Sequence, residues 1–156
     1  MAGSAGGRAA PAAPPHPPAT PLACPSASPD ADGALLFGVV AGTVEAPDTL
    51  FIGPRPPDPA LLALAAPATP AEVFRFTARC QEHGCGYFAE GRCGVAAAVV
   101  AHLPEVADGS LPQCGIRLQC RWWHEQGVAA CRRCPTVVTD DRARDGAYAE
   151  ALHRQR

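Results

Sequence analysis

The sequence contains no lysine; all 13 of its basic residues are arginine. Alanine makes up about a fifth of the chain, so this bias reads as the codon usage of a GC-rich genome and carries little structural meaning. With a net charge of −2, the chain has no strong electrostatic pull toward nucleic acid or an anionic membrane. It lacks any apolar run near the roughly 18–20 residues of a membrane helix. Its first residues, MAGSAGGRAAP, lack the apolar core of a secretory signal. A cytoplasmic location is therefore expected. No GxGxxG, P-loop or GxSxG motif occurs, and neither does the C-x3-C-x2-C of radical-SAM proteins. These absences favour a non-enzyme.

Residues 1–33 carry eight prolines and one large aliphatic residue, Leu22. Such a segment buries too little apolar surface to offset its ordering entropy, so a disordered tail is expected there. The rest suffices for one small domain over residues 34–140. Within it, residues 34–79 have no cysteine and residues 80–134 hold seven of the eight. Residues 141–156 form a charged C-terminal tail.

Ala34–Glu45 is apolar and β-branched and predicts a strand. Ala46-Pro47-Asp48 is a turn signal, and Thr49–Ile52 predicts the returning strand of a hairpin. The prolines from Gly53 to Pro59 predict irregular chain, and Leu61–Ala66 a short helix. Thr69-Pro70-Ala71-Glu72 has the form of a capping box, which predicts a helix from Pro70 to Cys80. Val95–Leu103 predicts a second helix. Leu118–Gln126 predicts a third, with Gly127 as its C-terminal cap. The expected fold class is α+β: a short N-terminal hairpin packed on two or three helices, with Cys-rich loops tied by metal.

In a reducing compartment, eight cysteines point to metal ligation or redox chemistry rather than disulfides. Cys114, Cys120, Cys131 and Cys134 are spaced C-x5-C-x10-C-x2-C and suffice for one tetrahedral metal or one cluster. Cys80, Cys85 and Cys93 are spaced C-x4-C-x7-C. His83 lies between the first two and offers a Cys3His site. His102 and His124 are alternative fourth ligands; without a histidine, three thiolates remain, as in a cluster with one open iron. Ligands from both sets sharing one site is a further arrangement. Cys24, alone in the Pro-rich tail, reads as a bystander. Zinc modules favour two short knuckles, and only Cys131-x2-Cys134 is one of length two; with the following Pro135, the irregular gaps favour an iron–sulfur cluster over zinc.

Arg117, Arg121, Arg132 and Arg133 surround the Cys114–Cys134 set, with Glu125 as the one acid between Leu111 and Cys134. Guanidinium groups near thiolates stabilise their charge and raise a cluster's potential. With Trp122 and Trp123 they also suggest base stacking. Adjacent helical residues point about 100° apart, however, so one tryptophan belongs to the core and nucleic acid is the weaker reading.

The stretch LPQCGIRLQCRWWHEQGVAACRRCPTVVTD, Leu111 to Asp140, resembles a set of small bacterial Cys-rich proteins. They share a pattern of the form L-P-x-C-x-I-R-x2-C-R-W, then A-C-x-R-C-P-x-[VI]-V-T. The upstream C-x4-C-x7-C with Gly91-Arg92-Cys93 belongs to the same pattern. The resemblance spans Phe76 to Thr139. It implies that the seven cysteines form one unit and implies no substrate. The expected function is electron transfer or redox or metal sensing by an iron–sulfur protein. The alternative is a zinc-stabilised module that binds a protein partner. An enzyme with an open iron at Cys80, Cys85 and Cys93 is the third reading.

Overall fold

The computed structural model describes residues 21–43, 45–106 and 108–139. Residues 1–20 of the tail expected over 1–33, and the charged segment at 141–156, lie outside the described residues. The centre of the fold is a four-stranded antiparallel sheet of β1 (Ala23–Ala27), β2 (Leu35–Gly42), β3 (Pro47–Arg55) and β4 (Phe74–Arg79), in the order β1-β4-β2-β3. The expected hairpin is present as β2–β3. The fold class is α+β, but the hairpin is half of a larger sheet and does not pack on helices alone.

Two expectations are corrected. The capping box forms, with the Thr69 N–H donating to Glu72 Oε2 at 2.6 Å, but α2 (Pro70–Val73) ends after one turn. The predicted helix to Cys80 is strand β4 instead. Phe74-Arg75-Phe76-Thr77 alternates with period two and is aromatic and β-branched. As a strand it satisfies the open edges of both β1 and β2, and that pairing outweighs the local cap. The second correction is the tail, which does not extend to residue 33. Ala23–Ala27 forms β1 because β4 offers it a partner, a gain that local composition cannot register.

Strand β4 is buried along nearly its whole length and divides the domain. Phe74 and Phe76 form a cluster with Leu36 and Ala65, against which Leu61 and Leu62 of α1 (Pro59–Ala63) pack. Arg75 and Thr77, on the alternate positions, point to the opposite face of the sheet, where Arg75 meets Cys134. Gly38 of β2 permits this packing. A Cβ there would lie 2.7 Å from Thr49 Cγ2 and 3.1 Å from Arg75 Cβ. Gly38→Ala is therefore expected to cost about 1–3 kcal/mol by overpacking. Equal urea midpoints for variant and wild type would contradict this.

The cysteine-rich half holds a short hairpin, β5 (Phe88–Ala89) and β6 (Arg92–Cys93), and helices α3 (Gly94–His102), α4 (Arg121–Gln126) and α5 (Val128–Cys131). Helix α3 matches the predicted second helix. The third starts three residues later than predicted, because Arg117–Gln119 is a 3-10 turn. Gly127, at φ +58°, ends α4 at the predicted place, a backbone conformation that glycine adopts without steric cost. Ala96, Val99, Cys120, Trp122, Ala130 and Val137 form a second core here. Among the described residues, no helix is long and apolar enough to cross a membrane.

Candidate metal centres

The structure sorts the eight cysteines into two groups of four. All are free thiols. Cys114, Cys120, Cys131 and Cys134 line one small cavity of about 20 Å³, as their spacing predicted. Cys120 is the N-cap of α4, Cys131 ends α5, and Cys134 opens the following 3-10 turn. The Gly127 bend between the two helices brings Cys131 back toward Cys120.

Cys80, Cys85 and Cys93 line a second cavity, of about 490 Å³, and there Cys24 joins them. Cys80 follows β4, Cys85 closes the 3-10 turn Glu82–Gly84, and Cys93 ends β6 and caps α3. The turn Glu90-Gly91 between β5 and β6 has φ of +52° and +74°, the backbone of a two-residue type I′ hairpin. Cys24, expected to stand alone in the tail, is the residue that the structure adds to this cavity. His83 is exposed, with its ring edge-on to Phe88 at 5.3 Å, and does not line the cavity. His102 lies in the last turn of α3, and His124 Nε2 contacts the Leu118 carbonyl at 2.8 Å; neither lines either cavity.

Among the described residues, no group of three or more His, Cys, Asp or Glu side chains is posed to hold a metal ion. The sulfurs line their cavities without converging on a point. Their protonation accords with that. Burial pushes the Cys24 thiol up to about 11; a backbone N–H at Ser26 opposes this, and the neighbouring Cys93, Cys80 and Cys85 add to it. Cys131 is likewise pushed up to about 11, mainly by burial and against the hydrogen bond from Arg117. Cys120 lies well above the usual thiol range, and Cys93 and Cys114 are raised, in each case chiefly by desolvation. These five thiols are therefore neutral near pH 7, and a metal bound to them would have to displace their protons.

These shifts predict opposite pH responses for the metal-free and metal-loaded chains. A raised thiol pKa adds stability that is complete below the unfolded value of 9.0 and is lost as pH rises through the folded value of about 11. The metal-free chain should lose up to about 1.4 kcal/mol per pH unit for each such thiol over that range. Metal affinity should instead fall as pH drops, because protons compete for the thiolates. Urea titrations at pH 8 and pH 10.5 check the first response; unchanged metal-free stability between them would contradict it.

Arginines lie beside sulfur in both groups. At the Cys114 group, the Arg75 guanidinium donates to Cys134 Sγ at 3.3 Å, and the Arg117 charge lies near Cys131. Arg75 is fully buried and also donates to the carbonyls of Cys134 (2.8 Å), Val137 (3.1 Å) and Pro25 (2.8 Å). Among the described residues no carboxylate pairs with it. Its Nε and the indole Nε1 of Trp122 are buried without a hydrogen-bond partner. At the Cys80 group, Arg121 lines the same cavity as Cys80 and pairs with Glu82 and Glu125. The Glu125 carboxylate in turn accepts the Cys93 N–H at 2.9 Å.

The two groups adjoin. Trp122, 2 % exposed, borders both cavities, and Ala23, next to Cys24, forms a β-bridge with Cys120. No protein-family model, curated protein or solved structure matches the chain.

Proposed function

We propose that this protein is a small iron–sulfur protein acting in electron transfer or redox sensing, with Cys114, Cys120, Cys131 and Cys134 as ligands of the main centre. The observation that carries this reading is Arg75. A guanidinium is ionised at any physiological pH, and burying it without a counter-charge is costly. Four thiols that kept their protons would supply no such charge. Four thiolates on iron or zinc would place net negative charge beside it.

The donors around this group also favour redox use. Arg75 and Arg117 reach sulfur, and the unpaired Arg75 Nε and Trp122 Nε1 lie in the same half of the domain. Hydrogen bonds and positive charge near a cluster stabilise its reduced form and raise its potential. Loading requires the four thiols to lose their protons and turn inward.

The second reading is a zinc-stabilised module that binds a protein partner. It is favoured by the 20 Å³ cavity, which has room for one ion in a tetrahedron of sulfurs about 2.3 Å away. The test is the visible spectrum of anaerobically purified protein, with iron, sulfide and zinc quantified on the same sample. A broad thiolate-to-iron band with equal iron and sulfide supports the cluster. Zinc without colour selects the module. A folded protein that takes up neither metal, even after reconstitution, removes both readings.

A further inference from the structure

We infer that Cys24, Cys80, Cys85 and Cys93 form a second, complete four-thiolate metal centre, in which the N-terminal strand β1 supplies the fourth ligand and His83 supplies none. The inference rests on the same thiolate–metal chemistry as the proposed function, but on a different set of residues.

Sheet register brings Cys24 to the site. In the antiparallel β1–β4 pair, Cys24 lies opposite Ala78, and the ladder continues one step past β4 through the Cys80 N–H to the Leu22 carbonyl at 2.8 Å. Opposite residues project from the same face, and so do residues two apart on one strand. Cys24 and Cys80 are therefore diagonal neighbours on one face, roughly 7–8 Å apart, within reach of a shared ion once the thiols rotate. The next residue, Pro25, points the other way and borders the cavity of the Cys114 group. One strand thus serves both centres on alternate residues.

The segment between Cys80 and Cys93 independently requires a tie. None of its 14 residues is buried. Glu82 and Glu90 hold φ of +48° and +52°, which a non-glycine residue adopts at a cost. A loop with no core of its own and strained turns does not hold one conformation by packing. Ligation at both ends and the middle, by Cys80, Cys93 and Cys85, would hold it. Supporting hydrogen bonds are in place: Gly94 N–H to the Tyr87 carbonyl (2.8 Å), Cys93 N–H to Glu125, and Arg121 to Glu82. Arg121 places positive charge beside the sulfurs, as Arg75 does at the other group.

The test compares full-length wild type, Cys24→Ser, Cys131→Ser and His83→Ala, purified anaerobically, for iron, sulfide and zinc per chain. The expected result is two centres in wild type and His83→Ala, and one in each serine variant. Iron with sulfide identifies a cluster at the lost site, and zinc alone a single ion; either supports the inference. Full metal content in Cys24→Ser overturns it, as does loss of a centre in His83→Ala. Wild type without metal overturns the proposed function as well, whereas loss confined to Cys131→Ser overturns only the second centre.

Should Cys24→Ser fail to fold, alkylation of the wild type decides. Metal-loaded protein is titrated with chelator, treated with N-ethylmaleimide and mapped by mass spectrometry. Cys24 is expected to become reactive at the same chelator concentration as Cys80, Cys85 and Cys93. Full reactivity of Cys24 in the loaded protein overturns the inference.

Discussion

Arg75→Met is expected to remove most of the stability of this domain and to weaken metal binding at the Cys114 group at least tenfold. The side chain is fully buried and donates to three backbone carbonyls and one sulfur. Methionine matches much of its volume but offers no donor. Each carbonyl that loses its partner in the interior costs about 1–3 kcal/mol. Breaking a buried charge network costs on the order of 3–5 kcal/mol, against a total of about 5–15 kcal/mol for a domain. The Arg75 donors also tie β1, through Pro25, and the turn at Cys134 to the centre of the sheet. Their loss acts on three elements at once.

The metal-loaded state separates a structural role from an electrostatic one. If the guanidinium balances a thiolate–metal centre, its removal destabilises the loaded protein more than the metal-free one. Loss of a group that orients or charge-balances metal ligands typically lowers affinity about 10–100-fold. Arg75→Lys should lie between wild type and Arg75→Met, because it keeps the charge and loses the forked donors. Urea unfolding of the three proteins, with and without metal, gives both quantities. An equal penalty in the two states would leave Arg75 as a packing residue only and would withdraw the main support for an anionic centre beside it.

Removing metal from wild type with a chelator is expected to raise trypsin cleavage after Arg92 and Arg79 about a hundredfold or more. Both arginines are exposed, and they bracket the segment without buried residues. Cleavage of a locally opened state follows the population of that state. A bound metal lowers that population by its binding linkage, and about 2.7 kcal/mol corresponds to a hundredfold. Cys24→Ser should reproduce the chelator pattern at Arg79 and Arg92 without added chelator. Equal cleavage rates with and without metal would mean that the segment is held by something other than ligation.

The hairpin β2–β3, the helix α3 and the Gly127 stop were legible in the chain because each depends on residues within a few positions. β-branched runs, turn dipeptides and a glycine cap act locally, and their energies are realised before any distant contact forms. The grouping of Cys114, Cys120, Cys131 and Cys134 was legible for the same reason, since they lie within one short segment joined by a single bend. Strand β4 was misread because a correct local signal, the Thr69–Glu72 cap, was followed by residues whose best partners are β1 and β2. Cys24 was misread for the converse reason. Nothing near it in the chain marks it as part of a site; only pairing with a strand more than fifty residues away places it beside Cys80. The burial of Arg75 likewise arises from a strand covered on both faces, with Phe74 and Phe76 toward one layer and Arg75 toward the other. Local chemistry set the elements and the donor inventory. Long-range strand pairing, whose gain appears only once the chain has closed on itself, set which donors meet.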